Sequence, residues 1–162
     1  MTSRNAVEPS LSLEWIMTTV CYRDGVLASD SLGCQGTFYG GSFQKIYQFN
    51  GFSVGVSGRM DEGTKFIKWL EHFNPFRPKR PPDRFNFTDM QALLIDSENN
   101  IWYYHNHGHP VKVKDAFFAI GSGRYAAMPA MEAGASAKDA VKIAMKYDTQ
   151  TGGDIQIISC SK

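Results

Sequence analysis

Two short turn sequences constrain the fold of this chain more than any other feature, because each lies between two runs of strand-forming residues. The turns are Asp24-Gly25 and Asn50-Gly51, and the flanking runs, rich in β-branched and aromatic residues, cover positions 18–22, 26–30, 45–49 and 52–56. Asp-Gly and Asn-Gly pairs are typical of two-residue hairpin loops, since these residues tolerate the positive φ angles that such loops need. The chain is therefore predicted to contain antiparallel sheets built from hairpins.

Three later segments favour α-helices. In residues 61–73 the apolar side chains fall on one stripe with the period of a helix. Two more helices are predicted over residues 123–133 and 136–147. Ser136 and Asp139 have the spacing of a capping box, which is typical of a helix N-terminus.

The remaining segments predict more strands, and together with the helices they define a fold class. Strands are predicted over residues 91–95, 101–104 and 154–159, another apolar run ends at residue 121, and residues 33–42, with four glycines, are predicted to be irregular or loosely paired. Hairpin-joined strands with helices grouped apart favour an α+β fold over alternating βαβ units. We expect a four-layer αββα sandwich, in which two antiparallel sheets pack face to face with helices outside both.

Composition limits the size and the partners of the protein. A chain of 162 residues and 18.1 kDa suits one domain, and its 43% hydrophobic residues are enough for a core. Lys and Arg total 17 against 16 for Asp and Glu. This near-neutral balance argues against nucleic acid or an anionic membrane as the main partner. The apolar runs also fall far short of the ~20 residues that span a bilayer.

Residues 1–17 differ in character from the rest of the chain. They lack the ~7–15 consecutive apolar residues of a secretory signal. They are interpreted as a tail, a pro-segment or a stretch that precedes a translation start at Met17, and residues 18–162 as the domain. Cys21, Cys34 and Cys160 are too scattered for a disulfide framework. They are expected to pack as small hydrophobes, and the protein to be cytoplasmic.

Six short stretches after Met17 follow one another in the order of a known family. They are Thr18-Thr19-Val20, Ala28-Ser29-Asp30, Gln44-Lys45-Ile46-Tyr47, Gly55-Val56-Ser57-Gly58, Ala119-Ile120-Gly121-Ser122-Gly123 and Asp148-Thr149-Gln150-Thr151-Gly152-Gly153. Together they resemble the β-type subunits of the proteasome and their bacterial relative, the peptidase HslV. The resemblance covers nearly the whole chain after Met17. It implies the fold of the N-terminal nucleophile (Ntn) hydrolases and threonine-dependent peptidase activity.

The resemblance also implies roles for individual residues. Thr18 corresponds to the nucleophile at the mature N-terminus of the family, and Lys45 to the cation beside it. Asp30 would pair with Lys45 and hold it. The backbone amide of Gly58 would donate to the oxyanion, because a glycine lets the backbone approach the substrate closely.

Three further residues would surround the free amine of the nucleophile. Ser122, Asp148 and Thr151 are expected to form a hydrogen-bonded set that orients the amine lone pair. Thr151 stands where the family usually has serine, but the hydroxyl is kept. A second departure is the basic, proline-rich loop of residues 74–84, which replaces one of the two helices that the family has in this region. Those helices contribute to ring contacts in the family.

The proposed chemistry depends on the N-terminus of the working protein. A threonine hydroxyl attacks an amide only after a base removes its proton. The α-amine of an N-terminal threonine can be that base, since its pKa of ~7.7–8.0 leaves part of it neutral near pH 7, unlike a lysine amine with a pKa of ~10.4. Thr18 must therefore be the first residue.

Two routes to that amine are open. The Thr18 hydroxyl could remove a pro-segment by attacking the Met17 carbonyl, or translation could start at Met17 and an aminopeptidase could remove it. The second route is favoured, because residues 1–16 show no folding pattern of their own.

Other functions remain open at this point. The chain could be a non-catalytic structural subunit of a proteasome-like assembly, or an Ntn amidase that acts on small amides. As a peptidase of polypeptides it is expected to form a homo-oligomeric ring. A separate AAA+ unfoldase would feed that ring, since the chain lacks a phosphate-binding Gly-x-x-x-x-Gly-Lys motif. No cofactor or metal is predicted; the triplet His105, His107 and His109 suggests zinc, but its Asn, Gly and Pro spacers favour a loop.

Overall fold

The computed structural model describes residues 18–35, 38–49, 51–72, 89–105 and 109–160. The strands are β1 (Thr19–Arg23), β2 (Val26–Ser29), β3 (Leu32–Gln35), β4 (Phe38–Ser42), β5 (Ile46–Phe49), β6 (Phe52–Gly58), β7 (Met90–Asp96), β8 (Ile101–His105), β9 (Val111–Val113), β10 (Phe117–Gly121) and β11 (Gln156–Ser159). The helices are α1 (Met60–Glu71), α2 (Arg124–Glu132) and α3 (Ala137–Tyr147).

Every strand pair in the described residues is antiparallel. Sheet I has the order β10-β1-β2-β11, and sheet II has the order β5-β6-β7-β8-β9. The predicted α+β class with antiparallel sheets is confirmed. The hairpin turn at Asp24-Gly25 has φ angles of 50° and 76°, as a primed turn requires. Gly51 also has a positive φ, whereas Asn50 lies outside the described residues.

A third, two-stranded sheet contains most of residues 33–42, which were predicted to be irregular or loosely paired. They supply most of the β3–β4 hairpin, whose register shifts between Gly33 and Cys34. A Cβ on Gly33 would lie 2.3 Å from the Phe43 ring, so this glycine lets the ring pack directly on the strand backbone. Gly33 therefore serves close packing against the Phe43 ring.

Three hydrophobic clusters separate the helices and the two large sheets into layers. Successive residues along β1 face opposite sides, as a strand requires. Val20 packs between the sheets, in a cluster with Ile46 and Leu93 of sheet II. Cys21 faces the other way, toward α2 and α3. A third cluster joins the outer face of sheet II to α1. In it the Phe66 ring packs edge-on against the Tyr104 ring, with 5.2 Å between the ring centres.

The ends of the helices agree with the local sequence. Ser136 caps α3, where its side chain accepts a hydrogen bond from the Asp139 amide at 3.1 Å. The helix predicted over residues 61–73 is found as α1, although Phe73 lies outside the described residues. The predicted tail of residues 1–17 and the basic loop of residues 74–84 also lie outside them. None of the described helices combines the length and apolar character needed to cross a membrane.

Candidate active site

A buried ion pair joins the end of β2 to the start of β5. The Lys45 Nζ atom donates to Asp30 Oδ1 at 3.0 Å and to the Leu32 carbonyl at 2.5 Å. Asp30 is fully buried, and it also accepts bonds from the Thr19 amide at Oδ1 and the Gly152 amide at Oδ2, each at 3.0 Å. One carboxylate therefore ties together β1, the lysine segment and the turn that follows α3.

Burial destabilises the charged forms of both Lys45 and Asp30. It lowers the pKa of Lys45 below its ordinary value, although the attraction of Asp30 opposes the change. It raises the pKa of Asp30, opposed by Lys45 and by the two backbone amides that donate to it. While it is protonated, a buried lysine is a compact cation that can stabilise negative charge developing nearby.

A second set of polar groups lies on the helix side of β1. Asp148 Oδ2 accepts short hydrogen bonds from Ser122 Oγ and, at 2.6 Å, from Thr151 Oγ1. The Thr151 hydroxyl also lies 2.8 Å from that of Thr19. The predicted trio is thus brought together, and it reaches the residue directly after Thr18. Threonine at position 151 keeps the hydroxyl in contact with Asp148.

Thr18 lies at the start of β1 and is only 5% exposed. It lines a cavity of about 70 Å³. The other lining residues that matter for chemistry or selectivity are Leu32, Phe43, Lys45, Val56, Gly58 and Met60. The cavity therefore brings the predicted nucleophile, cation and oxyanion donor to one space. Apolar side chains form part of its walls, and polar or charged residues form the rest, namely Gln44, Tyr47, Ser57, Arg59 and Thr64. We refer to this cavity as the Thr18 pocket.

Glycines at three positions allow the backbone to close around Thr18. A Cβ on Gly121 would lie 1.6 Å from the Thr18 carbonyl oxygen, and one on Gly123 would lie 1.9 Å from Thr19 Oγ1. Gly58 has a φ of +112° and passes so close to β7 that a Cβ would lie 2.3 Å from the Asp89 carbonyl. The Gly-Ser-Gly stretch thus does more than turn the chain from β10 into α2, since it also makes room for the first two threonines.

Two glutamines that the sequence did not single out support the site. The Gln156 side chain on β11 accepts from the Lys45 amide at 3.0 Å and donates to the Phe43 carbonyl at 2.6 Å, so it fixes the backbone that carries Lys45. Gln91 Oε1 on β7 accepts from the Gly121 amide at 3.1 Å and so bridges the two large sheets. Neither glutamine belongs to a recognisable motif.

The cysteines and histidines have no assigned role in these contacts. The three cysteines are buried and are not joined by disulfides. His105 and His109 are exposed, and His107 lies outside the described residues. Among the residues that the structure describes, no cluster of three or more His, Cys, Asp or Glu side chains is placed to hold a metal ion.

Comparisons with known proteins place the fold. No protein-family model matches the sequence, and no curated protein matches it either. The structure of Thiobacillus denitrificans BPH in complex with epoxomicin matches with a TM-score of 0.65 and 17% identity, covering 90% of this chain and 100% of that one. This chain shares the BPH fold. A structure described simply as Thiobacillus denitrificans BPH matches with the same TM-score and identity and is covered to 98%.

Proposed function

We propose that this protein is a threonine-type endopeptidase of the Ntn-hydrolase class, with Thr18 as its nucleophile. The observation that carries the proposal is the cavity that Thr18 lines together with Lys45 and Gly58. Beside it, the Ser122–Asp148–Thr151 trio reaches Thr19, the next residue of the chain. The epoxomicin complex of BPH, which has the same fold at low identity, supports the proposal.

The reaction follows from the groups around Thr18. The free α-amine takes the proton of the Thr18 hydroxyl, and the oxygen attacks the scissile carbonyl. The resulting oxyanion accepts a hydrogen bond from the Gly58 amide, while the Lys45 ammonium stabilises the negative charge. The Thr18 ammonium then returns the proton to the leaving amine as the C–N bond breaks. A water molecule, deprotonated by the same amine, hydrolyses the ester and releases the acid product.

The remaining predicted residues position these groups. Asp30 holds the Lys45 ammonium in place through the buried pair. Ser122, Asp148 and Thr151 orient the amine so that its lone pair faces the hydroxyl. The Thr18 pocket is small, and Leu32, Phe43 and Val56 give it an apolar part beside polar lining residues, which favours a substrate with a small apolar side chain on the acyl side of the scissile bond.

The proposal extends to the organisation of the protein. Residues 18–162 form the peptidase domain, and residues 1–17 are removed or not translated. The domain acts on polypeptides in a cytoplasmic homo-oligomeric ring, without a cofactor, and a separate AAA+ ATPase delivers unfolded chains. A lone subunit with an open threonine site would cleave cytosolic proteins indiscriminately, so an enclosed site suits this chemistry.

The N-terminus decides between this function and a non-catalytic role. We expect a protein that begins at Thr18 to hydrolyse fluorogenic peptide amides and to gain the mass of epoxomicin on incubation. The same protein with Met17 retained should do neither, because its nitrogen at position 18 is an amide without basicity. Intact mass defines the two samples and reports the adduct. Equal hydrolysis by both samples would exclude the amine as base.

The pH dependence of kcat/KM should be bell-shaped. The amine acts as a base only when neutral, so activity is lost as the pH falls below its pKa, which for an α-amine is ordinarily ~7.7–8.0. Lys45 contributes only when protonated, so activity is lost again as the pH rises through its lowered pKa, before the ordinary ~10.4. Peptide amide hydrolysis between about pH 5 and pH 10 measures both limbs. A rate independent of pH over this range contradicts both assignments.

A further inference from the structure

A second cavity adjoins the Thr18 pocket and has no part in the mechanism above. It has a volume of about 420 Å³ and shares Ser57 and Gly58 with the Thr18 pocket. Its other walls include Gln91 of β7, Gly121 at the end of β10, Ser122 directly after it, and Arg124 at the start of α2. We refer to it as the α2 pocket.

The α2 pocket lies on the side from which the leaving group departs. This step rests on the proposed function, in which the scissile carbonyl lies between Thr18 and the Gly58 amide. The Thr18 amine protonates the leaving nitrogen, and the groups that orient this amine include Ser122, which lines the α2 pocket. Lys45 and the apolar walls lie in the other pocket, which takes the acyl side. A substrate that crosses Gly58 therefore extends its leaving-group residues into the α2 pocket.

Arg124 gives this pocket a positioned cation. Its guanidinium carbon lies 4.8 Å from the centre of the Tyr125 ring, and Nη2 donates to the Tyr125 hydroxyl at 2.9 Å. Nη1 donates to Gln91 Oε1 at 3.3 Å. The Gln91 side chain is in turn fixed by a hydrogen bond that its Nε2 donates to the Tyr103 hydroxyl at 3.0 Å. A guanidinium has five N–H donors in a rigid fork, so these two bonds fix its plane and leave donors for a carboxylate.

We propose that the α2 pocket binds the leaving-group side of the substrate and that Arg124 selects an acidic residue at one of the first two positions after the scissile bond. One lining carboxylate, Asp89, opposes this preference. Asp89 directly precedes Met90, which pairs with Gly58, so its charge lies at the Gly58 side of the pocket. Removing its charge should therefore strengthen the preference.

The test uses internally quenched peptides that share one acyl-side sequence and carry Glu, Gln or Lys at the two positions after the scissile bond. For the purified protein we expect kcat/KM to be about tenfold higher for Glu than for Gln, which corresponds to ~1.4 kcal/mol. The order should be Glu, Gln, Lys. The assay is held at one pH, because His105 also lines the pocket. Measuring a ratio within each sample cancels differences in the active fraction.

Two variants with opposite charge effects make the result specific. Arg124→Gln should reduce the Glu-to-Gln ratio to about one, whereas Asp89→Asn should increase it. Arg124→Lys, which keeps the charge but loses the fork, should give an intermediate ratio. A Glu-to-Gln ratio that stays the same in Arg124→Gln overturns the inference.

A fluorogenic amide with an aminocoumarin leaving group separates this inference from the proposed function. This substrate has no residue after the scissile bond. If the purified protein cleaves it but shows no charge preference among the quenched peptides, the inference alone fails. If a protein that begins at Thr18 cleaves neither kind of substrate, the proposed peptidase function fails and the inference fails with it.

Discussion

Replacing Thr18 with alanine is expected to reduce hydrolysis of peptide amides by ~10³-fold or more, because it removes the nucleophile and leaves the free amine without a hydroxyl to activate. The side chain is nearly buried and lines the pocket shared with Lys45 and Gly58. Steady-state kcat/KM with a fluorogenic peptide measures the loss. Intact mass shows that the variant still begins at residue 18.

A matched substitution separates the hydroxyl from the side-chain volume. Thr18→Ser keeps both the hydroxyl and the α-amine, so it should retain activity within about tenfold of the unmodified protein and remain open to an epoxomicin adduct. Thr18→Val keeps the branched shape and removes the hydroxyl, so it should be as inactive as Thr18→Ala. Activity that survives in the valine variant would mean that another group attacks the substrate, and it would exclude both the peptidase and the small-amide alternatives.

Much of the fold could be predicted because its signals are local. The turn at Asp24-Gly25 and the cap at Ser136 each depend on residues within a few positions of one another, so the local sequence is enough to predict them. The β3–β4 hairpin was not predicted as an ordered pair. Gly33 is a glycine because the Phe43 ring lies on it, and a contact between residues ten positions apart leaves no periodic pattern.

The supporting contacts of the site could not be predicted for the same reason. The bonds from Gln156 to the segment around Lys45 span more than a hundred positions of the chain. An isolated glutamine on a closing strand gives no indication of such a partner. Asp30 likewise accepts bonds from three separate segments, of which the sequence suggested only the one to Lys45. Local patterns place a residue on an element, whereas the packing of β1, β2 and β11 decides what that residue contacts.

Substitutions in the Lys45–Asp30 pair are expected to change the stability of the protein and its rate of hydrolysis independently. Lys45→Met should lower the free energy of unfolding by ~3–5 kcal/mol, because it leaves a fully buried carboxylate without its cation. Urea unfolding of the variant measures this loss. Hydrolysis should fall as well, since the ammonium that stabilises the oxyanion is gone.

The double variant Lys45→Met/Asp30→Asn removes the unpaired charge and should regain part of the stability. Recovery should be incomplete, because the Asn side chain has one acceptor oxygen and an amide that cannot accept from the Thr19 or Gly152 backbone. Activity should stay as low as in the single variant, since refolding a well-packed site does not restore a cation beside Thr18. If activity returned together with stability, Lys45 would serve only to neutralise Asp30, and the oxyanion would depend on the Gly58 amide alone.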